Sequence, residues 1–211
     1  MRKLFWDDPY KLECDATVTK VDGSKIYLDQ TVFFAFSGGQ ASDSGTIENV
    51  PVQDAVKEDS GEIYYTLENN KIFEAGKRVH VAIDAENRNL IMRLHSATHI
   101  VYYILIQKIG KQEIIGSNIS RDKGRLDFLY EKSIADVLPE VEAEANKLVE
   151  KGLEIKTYEN KEKPGRRFWE MEEIKMPCGG THPRNTKEIG KIRLKRKNIG
   201  AGKERVEVLI T

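Results

Sequence analysis

The feature that most constrains the fold of this chain is a change of hydrophobic period near Ala85. Before it, short alternating runs are separated by turn-forming residues, as in CDATVTKVDGSKIYLD around Asp22-Gly23. After it, ENRNLIMRLHSATHIVYYILIQKIG has apolar residues at helical intervals and ends at Gly110. We therefore predict an α+β protein with two domains. A small β-barrel-like domain covers residues 1–84, and an α+β domain covers residues 85–211.

Further elements follow from the same patterns. In the first domain, TVFFAFSGG predicts a strand because it is rich in β-branched and aromatic residues. In the second, SNISRDKGRLDFLYE predicts two strands around a turn at Asp122-Lys123-Gly124. A helix is predicted to open on Ser133 as its cap and to end at Gly152. LEIKTYE predicts a strand, EKPGRRFWEMEEIKMPCGGTH is mostly irregular, and KEIGKIRLKRKNIGAGKERVEVLI predicts a closing hairpin.

Composition narrows the class of protein. No apolar run approaches the roughly 20 residues that a membrane-spanning helix needs. The segment MRKLFWDDPYKLE has no apolar region of the kind found in secretory signals. The two cysteines cannot form a disulfide framework. These features predict a cytoplasmic protein that does not act in a membrane.

Two short segments contain residues that commonly bind metals. His95 and His99, in HSATH, are four positions apart in the predicted helix, so both imidazoles project from one face. That spacing suits a zinc half-site, although histidines on a half-buried helix are also often hydrogen-bonded core residues. Cys178 and His182, in CGGTH, flank a pair of glycines that permits a tight turn. Taken alone, this second segment could be a half-site, a reactive thiol or an ordinary turn.

The two segments together predict a metal site. A His-x3-His pair and a Cys-x3-His pair supply four nitrogen and sulfur ligands, the number that tetrahedral Zn²⁺ takes. Mixed His/Cys ligands favour zinc over iron or copper without excluding them. We predict one Zn²⁺ per chain, bound by His95, His99, Cys178 and His182. Cys14 is instead expected in the core, and His80 on a strand surface.

A glycine-rich block and a basic segment are the other notable features. Ser37-Gly38-Gly39-Gln40 predicts a turn whose backbone amides can approach a ligand closely, although most Gly-Gly pairs are plain turns. Residues 1–84 hold 9 Lys/Arg and 15 Asp/Glu of the 34 of each in the chain, so the remainder carries an excess of six positive charges. This excess is densest in KEIGKIRLKRKNIGAGKERVE. Such a segment can contact a phosphate backbone, or it can simply keep a sheet edge soluble.

The segments HSATH, CGGTH and SGGQASDSGTI, together with GRLDF, resemble those of the alanyl-tRNA synthetase editing domain in order and separation. The combination of HxxxH with CGGTH is shared with the threonyl-tRNA synthetase editing domain, and the SGGQ block favours the alanyl side. The chain contains no segment that resembles an aminoacylation domain. It therefore resembles the free-standing AlaX trans-editing proteins, and its N-terminal glycine-rich domain matches their medium-length form, AlaX-M.

The resemblance implies an enzyme, a zinc-dependent aminoacyl-tRNA deacylase. This carboxylic ester hydrolase would act on tRNA(Ala) mischarged with serine, and glycine is a second candidate. Thr31 matches a family threonine placed to hydrogen-bond the serine hydroxyl, with Gly38 and Gly39 as further substrate-binding residues. Gln40 and Asp127 are candidates for positioning the hydrolytic water. The family often has a Pro-Glu pair where this chain has Ala35-Phe36, so any role of that glutamate is absent.

Two other functions are compatible with the same residues. A non-catalytic zinc-stabilised tRNA-binding module would account for the metal ligands and the basic segment. A deacylase acting on a small free ester would account for the metal ligands alone. The role of His182 is also open, because a zinc ion with all four ligands is coordinatively closed, whereas one with three has a place for water or substrate.

Overall fold

The computed structural model describes residues 1–69, 72–200 and 202–211. The chain divides into two compact units, Met1–Asn89 and Leu90–Thr211. We predicted two domains, 1–84 and 85–211. Compact units are not by themselves independent domains, so this division stays a prediction. None of the helices in the described ranges is long and apolar enough to cross a membrane.

The first unit is built around a closed six-stranded barrel, which confirms the barrel-like fold predicted for this region. The order around the barrel is β2-β3-β7-β6-β5-β8, and β1 pairs with β4 outside it. Inward-facing residues of alternate positions, among them Val18, Ile26 and Val81, fill its interior. The strands are β1 (Arg2–Lys3), β2 (Glu13–Asp22), β3 (Lys25–Leu28), β4 (Gln30–Thr31), β5 (Gly45–Ile47), β6 (Val50–Lys57), β7 (Ile63–Leu67) and β8 (Arg78–Ile83).

The predicted strand over TVFFAFSGG is wrong beyond Thr31. From Val32 onward the backbone is irregular up to a short bridged turn. Side chains rather than a neighbouring strand accept the backbone hydrogen bonds there. Thr31 Oγ1 accepts a hydrogen bond of 2.9 Å from the amide of Phe33, and Asp43 Oδ2 accepts one of 2.7 Å from the amide of Phe34. Such local acceptors compete with strand pairing. The segment therefore forms an irregular loop, although its β-branched and aromatic residues favour a strand.

In the described part of the second unit there are two α-helices, a four-stranded sheet and a three-stranded sheet. Its sheets have the orders β14-β15-β10-β9 and β11-β12-β13. Together with the barrel, this confirms the α+β class. The elements are α1 (Ala85–Ile109), which begins in the first unit, β9 (Ile114–Ile119), β10 (Gly124–Leu129), α2 (Leu138–Lys151), β11 (Lys156–Glu159), β12 (Arg167–Met171), β13 (Ile174–Pro177), β14 (Ile192–Asn198) and β15 (Lys203–Ile210).

Two predictions about the second unit are wrong. The helix α2 begins at Leu138 rather than after Ser133, because Pro139 has the fixed backbone angle and missing N–H that suit a first turn. The segment expected to be mostly irregular contains a hairpin, formed by β12 and β13, that the prediction missed. Its turn places Glu172 at φ 49°, a left-handed conformation that glycine or asparagine usually marks. No such residue is present, so the turn gave no signal in the sequence.

Strand β10 packs closely against the helix that carries HSATH. A Cβ atom on Gly124 would lie 2.1 Å from Oγ1 of Thr98, so only glycine leaves room for this approach. Residues that alternate with Gly124 along β10, including Phe128, therefore face the core with α1. Asp127 faces the opposite side of the sheet.

Candidate metal centre

Four metal-binding side chains converge in the second unit. His95 and His99 lie one turn apart on α1, and Cys178 and His182 lie on the turn that follows β13. Their candidate ligand atoms all lie within 4.8 Å of one another. Cys178 Sγ is 3.5 Å from His95 Nε2 and 3.2 Å from His182 Nε2. Two segments that are 83 residues apart, measured from His95 to Cys178, thus form one cluster.

The cluster fits a tetrahedral metal ion. Bonds of about 2.0–2.3 Å to nitrogen and sulfur place neighbouring ligand atoms roughly 3.3–3.8 Å apart, close to the two measured distances. Among the described residues, Nε2 of His99 is buried and has no hydrogen-bond partner. A buried nitrogen without a partner is costly, and a metal ion would supply one. The donors present therefore could hold a metal ion.

Burial favours the neutral form of all four side chains. It lowers the pKa of His99 to about 4. Burial, with the neighbouring imidazoles as a second cause, holds the pKa values of His95 and His182 well below their ordinary value. Burial also raises the pKa of Cys178 to about 11. At neutral pH the site thus presents three neutral imidazoles, ready to bind, and one thiol that must lose a proton first.

This arrangement predicts how metal affinity depends on pH. Between about pH 6 and 9 only the Cys178 thiol exchanges a proton for the metal, so affinity should rise roughly tenfold for each unit of pH. Protons should begin to compete with the metal for the His99 imidazole, whose pKa burial lowers to about 4, only near or below that pH. Titration against a chromophoric chelator at several pH values measures the slope. An affinity independent of pH between 6 and 9 would contradict the prediction.

A buried hydrogen-bond chain contacts the His182 ring at Nδ1. Ser96 Oγ lies 3.0 Å from His182 Nδ1 and accepts a hydrogen bond of 3.2 Å from the indole Nε1 of Trp169. Because His182 Nε2 is the nitrogen near Cys178 Sγ, Nδ1 is the nitrogen turned away from the cluster. A neutral imidazole that binds a metal through Nε2 carries its proton on Nδ1, and Ser96 Oγ is positioned to accept it.

Replacement of Ser96 by alanine is expected to weaken metal binding about tenfold, the lower end of the effect of such supporting partners. The His182 ring would lose the group that fixes its orientation, and the buried Trp169 N–H would lose its acceptor. Chelator competition measures the affinity. Ser133→Ala is the matched control, since the hydroxyl oxygen of this exposed serine accepts a local hydrogen bond from the amide of Ala135. An affinity for Ser96→Ala within twofold of wild type would refute the role.

The chain is similar to known proteins over almost its whole length. Residues 167–207 match the family model described as the threonyl and alanyl tRNA synthetase second additional domain. The chain is 35% identical to the alanyl-tRNA editing protein AlaX-M of Pyrococcus horikoshii, over 98% of this chain and 96% of that protein. It is 31% identical to AlaX-M of Saccharolobus solfataricus, over 97% and 96% respectively. The chain belongs to the AlaX-M family.

The same family likeness extends to a longer class of enzyme. The chain is 33% identical to the alanine–tRNA ligase of Methanococcus aeolicus over 97% of its own length, which corresponds to 25% of the ligase. The chain therefore matches one quarter of that ligase. The family-model match covers β12 to most of β15, including CGGTH, so it contains one of the two halves of the metal cluster.

In this AlaX-M member the glycine-rich block forms a tight turn in the first unit. Gly38 and Gly39 have φ values of 58° and 84°, and Ser37 and Gln40 exchange backbone hydrogen bonds of 3.3 and 3.1 Å across them. Positive φ at both central residues is the signature of a type I′ hairpin turn, which glycine adopts without strain. Gln40 is buried. The turn is as predicted, and its substrate contacts stay a prediction.

An ion pair that the sequence did not indicate anchors the loop beyond this turn. Arg88, fully buried in the first turn of α1, donates to both carboxylate oxygens of Asp43, with 2.9 Å from Nε to Oδ1. The same guanidinium donates to the carbonyls of Pro9 and Val32 at 2.8 and 2.6 Å. Every charge and carbonyl in this group is therefore paired, as burial requires. Nothing in the sequence marked this pairing, because Arg88 lies among the polar residues Glu86, Asn87 and Asn89.

Thr31 and Asp127 both have structural partners. The buried Oγ1 of Thr31 accepts hydrogen bonds from the Phe33 amide and from the Tyr65 hydroxyl, the latter at 2.7 Å. Asp127 is buried and accepts two hydrogen bonds from Arg205, at 2.6 and 2.8 Å. The predicted roles in serine recognition and water positioning stay predictions for these residues.

Proposed function

We propose that this protein is a trans-editing hydrolase that deacylates Ser-tRNA(Ala), releasing serine and free tRNA. The single observation that carries the proposal is the full-length likeness to proteins named as alanyl-tRNA editing proteins, in a chain whose own four candidate ligands converge. An alanine pocket cannot strongly reject a substrate of similar shape with an added hydroxyl, and discriminates by about 10² or less. A separate hydrolytic site can remove the error. Gly-tRNA(Ala) is a second candidate substrate.

We infer that the metal is one Zn²⁺ per chain, held by His95, His99, Cys178 and His182. Mixed imidazole and thiolate ligands at tetrahedral spacing support zinc. When bound, zinc supplies Lewis-acid polarisation of an oxygen. The protein's own contribution is to hold the ligands in a buried site, with Ser96 and Trp169 fixing the His182 ring.

Gln40 and Asp127 are the two candidates for positioning the hydrolytic water. Asp127 faces away from α1, and both of its carboxylate oxygens accept hydrogen bonds from Arg205, which leaves it little capacity for a water molecule. Gln40 is buried at the end of the glycine turn, where its backbone exchanges two hydrogen bonds with that of Ser37. In this proposal Gly38, Gly39 and Thr31 line the binding region for the aminoacyl group.

The deciding assay compares the hydrolysis of Ser-tRNA(Ala), Gly-tRNA(Ala) and Ala-tRNA(Ala) by the metal-loaded protein. We expect serine to be released at least tenfold faster than alanine. Equal rates for serine and alanine would overturn the proposal. Binding of tRNA without hydrolysis would instead indicate a non-catalytic tRNA-binding module. Hydrolysis of seryl esters that lack tRNA, at a comparable rate, would indicate a deacylase of small free substrates.

A further inference from the structure

We propose that the outer face of the four-stranded sheet is the surface on which this protein binds the phosphate backbone of its tRNA. The basic face, as we name it, consists of Lys123, Arg125, Lys195, Lys197 and Arg205. The inference rests on the proposed tRNA substrate, and it adds where and through which groups the RNA is held.

The strand register brings the basic side chains together. Lys195 lies opposite Glu207, which lies opposite Arg125 on the next strand. Lys197 lies opposite Arg205, which in turn lies opposite Asp127. Directly opposed residues share a face of the sheet, so these residues alternate with the apolar ones that pack against the helices. The hydrophobic face and the basic face are therefore two sides of the same strands.

Two buried carboxylates hold the basic side chains in place. Glu207 Oε1 lies 2.5 Å from Lys123 Nζ and 3.2 Å from Lys197 Nζ. Asp127 is bound by Arg205 and lies 3.4 Å from Arg125 Nε. The carboxylate side chains are only 6% and 8% exposed, whereas that of Lys197 is 54% exposed. The two carboxylates thus lie beneath the basic side chains, and Lys197 extends into solvent.

The charges of the face do not balance. Five cations surround two carboxylates, which leaves an excess of three positive charges on a few strands of a protein whose formal net charge is zero. The hydrogen bond from Lys123 lowers the pKa of Glu207, so this carboxylate is ionised at neutral pH and is rightly counted as one of the two negative charges. The face therefore has unused cationic capacity, which suits a polyanion.

The alternative role, protection of a sheet edge by lysines, is already filled by other groups. The outer edge of β14 is covered by α2, where Asn146 exchanges two hydrogen bonds of 2.9 Å with the backbone of Ile192. Glu142 Oε2 accepts the amide of Leu194 at 2.7 Å. At Ile192 and Leu194 this edge is therefore kept from pairing with another strand by α2, and not by Lys195 or Lys197. Their position on the open face calls for a different explanation.

The test uses the full-length, metal-loaded protein and uncharged tRNA(Ala) transcript. The double variant Lys195→Gln/Lys197→Gln removes two charges from the basic face and leaves Lys123 to pair with Glu207. The matched control, Lys147→Gln/Lys151→Gln, removes two charges from exposed positions of α2 in the same unit. Binding is measured by fluorescence anisotropy at several salt concentrations.

We expect the double variant to bind about tenfold more weakly at near-physiological salt. The slope of log affinity against log salt should fall by roughly 1.4 to 1.8, since each lost phosphate contact contributes about 0.7 to 0.9. The control should match the wild type in both quantities. Circular dichroism and bound metal should be unchanged in both variants.

If the double variant kept the wild-type affinity and salt slope, the proposal that the basic face binds tRNA would be overturned, even if the enzyme deacylates Ser-tRNA(Ala). Conversely, loss of binding in the double variant together with absent hydrolysis by the wild type would support the basic face and refute the proposed reaction. Equal weakening by the control variant would show that only net charge matters and would also overturn the assignment. The two proposals therefore fail separately.

Discussion

Replacement of Cys178 by alanine is expected to reduce metal affinity about a hundredfold or more. Zinc sites in small proteins are worth about 10–16 kcal/mol at neutral pH, so one ligand of four contributes on the order of 3 kcal/mol. The Cys178 Sγ atom lies within 3.5 Å of two other ligand atoms, which places it inside the cluster rather than at its margin. His95→Ala is expected to have a similar effect. Metal analysis after dialysis and competition with a chelator measure the change.

A histidine outside the cluster provides the control. His80 lies on β8, with a half-exposed side chain, near Asp15 and Glu13. His80→Ala should therefore keep its full metal content. Under the proposed function, Cys178→Ala should also lose deacylation while its circular dichroism stays native. Unchanged metal stoichiometry in both Cys178→Ala and His95→Ala would refute the site.

Replacement of Gly45 by alanine is expected to destabilise the barrel by about 3 kcal/mol, the upper end for forcing extra volume into a packed region. Gly45 pairs with Ile83 between β5 and β8. A Cβ atom there would lie 2.2 Å from the carbonyl oxygen of Ala82 and 2.9 Å from the Cα of Ile83. Both are backbone atoms, so no side-chain rotation can relieve the contact. The strands would have to separate.

Hydrogen exchange resolved by peptide measures this effect, because it reports on each unit separately. Exchange in β5 and β8 should accelerate, whereas the peptides of β14 and β15 should be unaffected. Gly38→Ala is the comparison variant, since Gly38 has φ 58° but no atom lies within 4 Å of the place that a Cβ atom would take. Its cost should be only about 1–2 kcal/mol, that of a left-handed alanine. Equal costs at the two glycines would contradict the steric explanation.

Local sequence patterns predicted a helix or strand correctly where the residues of that element alone specify it. The alternation around Asp22-Gly23 predicted β2 and β3, and the helical period with Gly110 predicted α1 and its end. They failed where a long-range or unusual partner intervened. Asp43, from beyond the glycine turn, supplies an acceptor to the TVFF segment, and Glu172 forms a turn without a turn-forming residue type.

By itself the sequence determined the candidate ligand set and the α+β class. The reason is that i, i+4 histidines on a helix and a glycine-flanked Cys-x3-His turn encode their own local geometry. Only the tertiary structure decided which groups support these ligands and which charges share a face. Ser96 and His182 are 86 residues apart, Asp127 and Arg205 are 78 apart, and Arg88 and Asp43 are 45 apart. Pairs so distant leave no periodic trace in the chain, because packing rather than local backbone geometry brings them into contact.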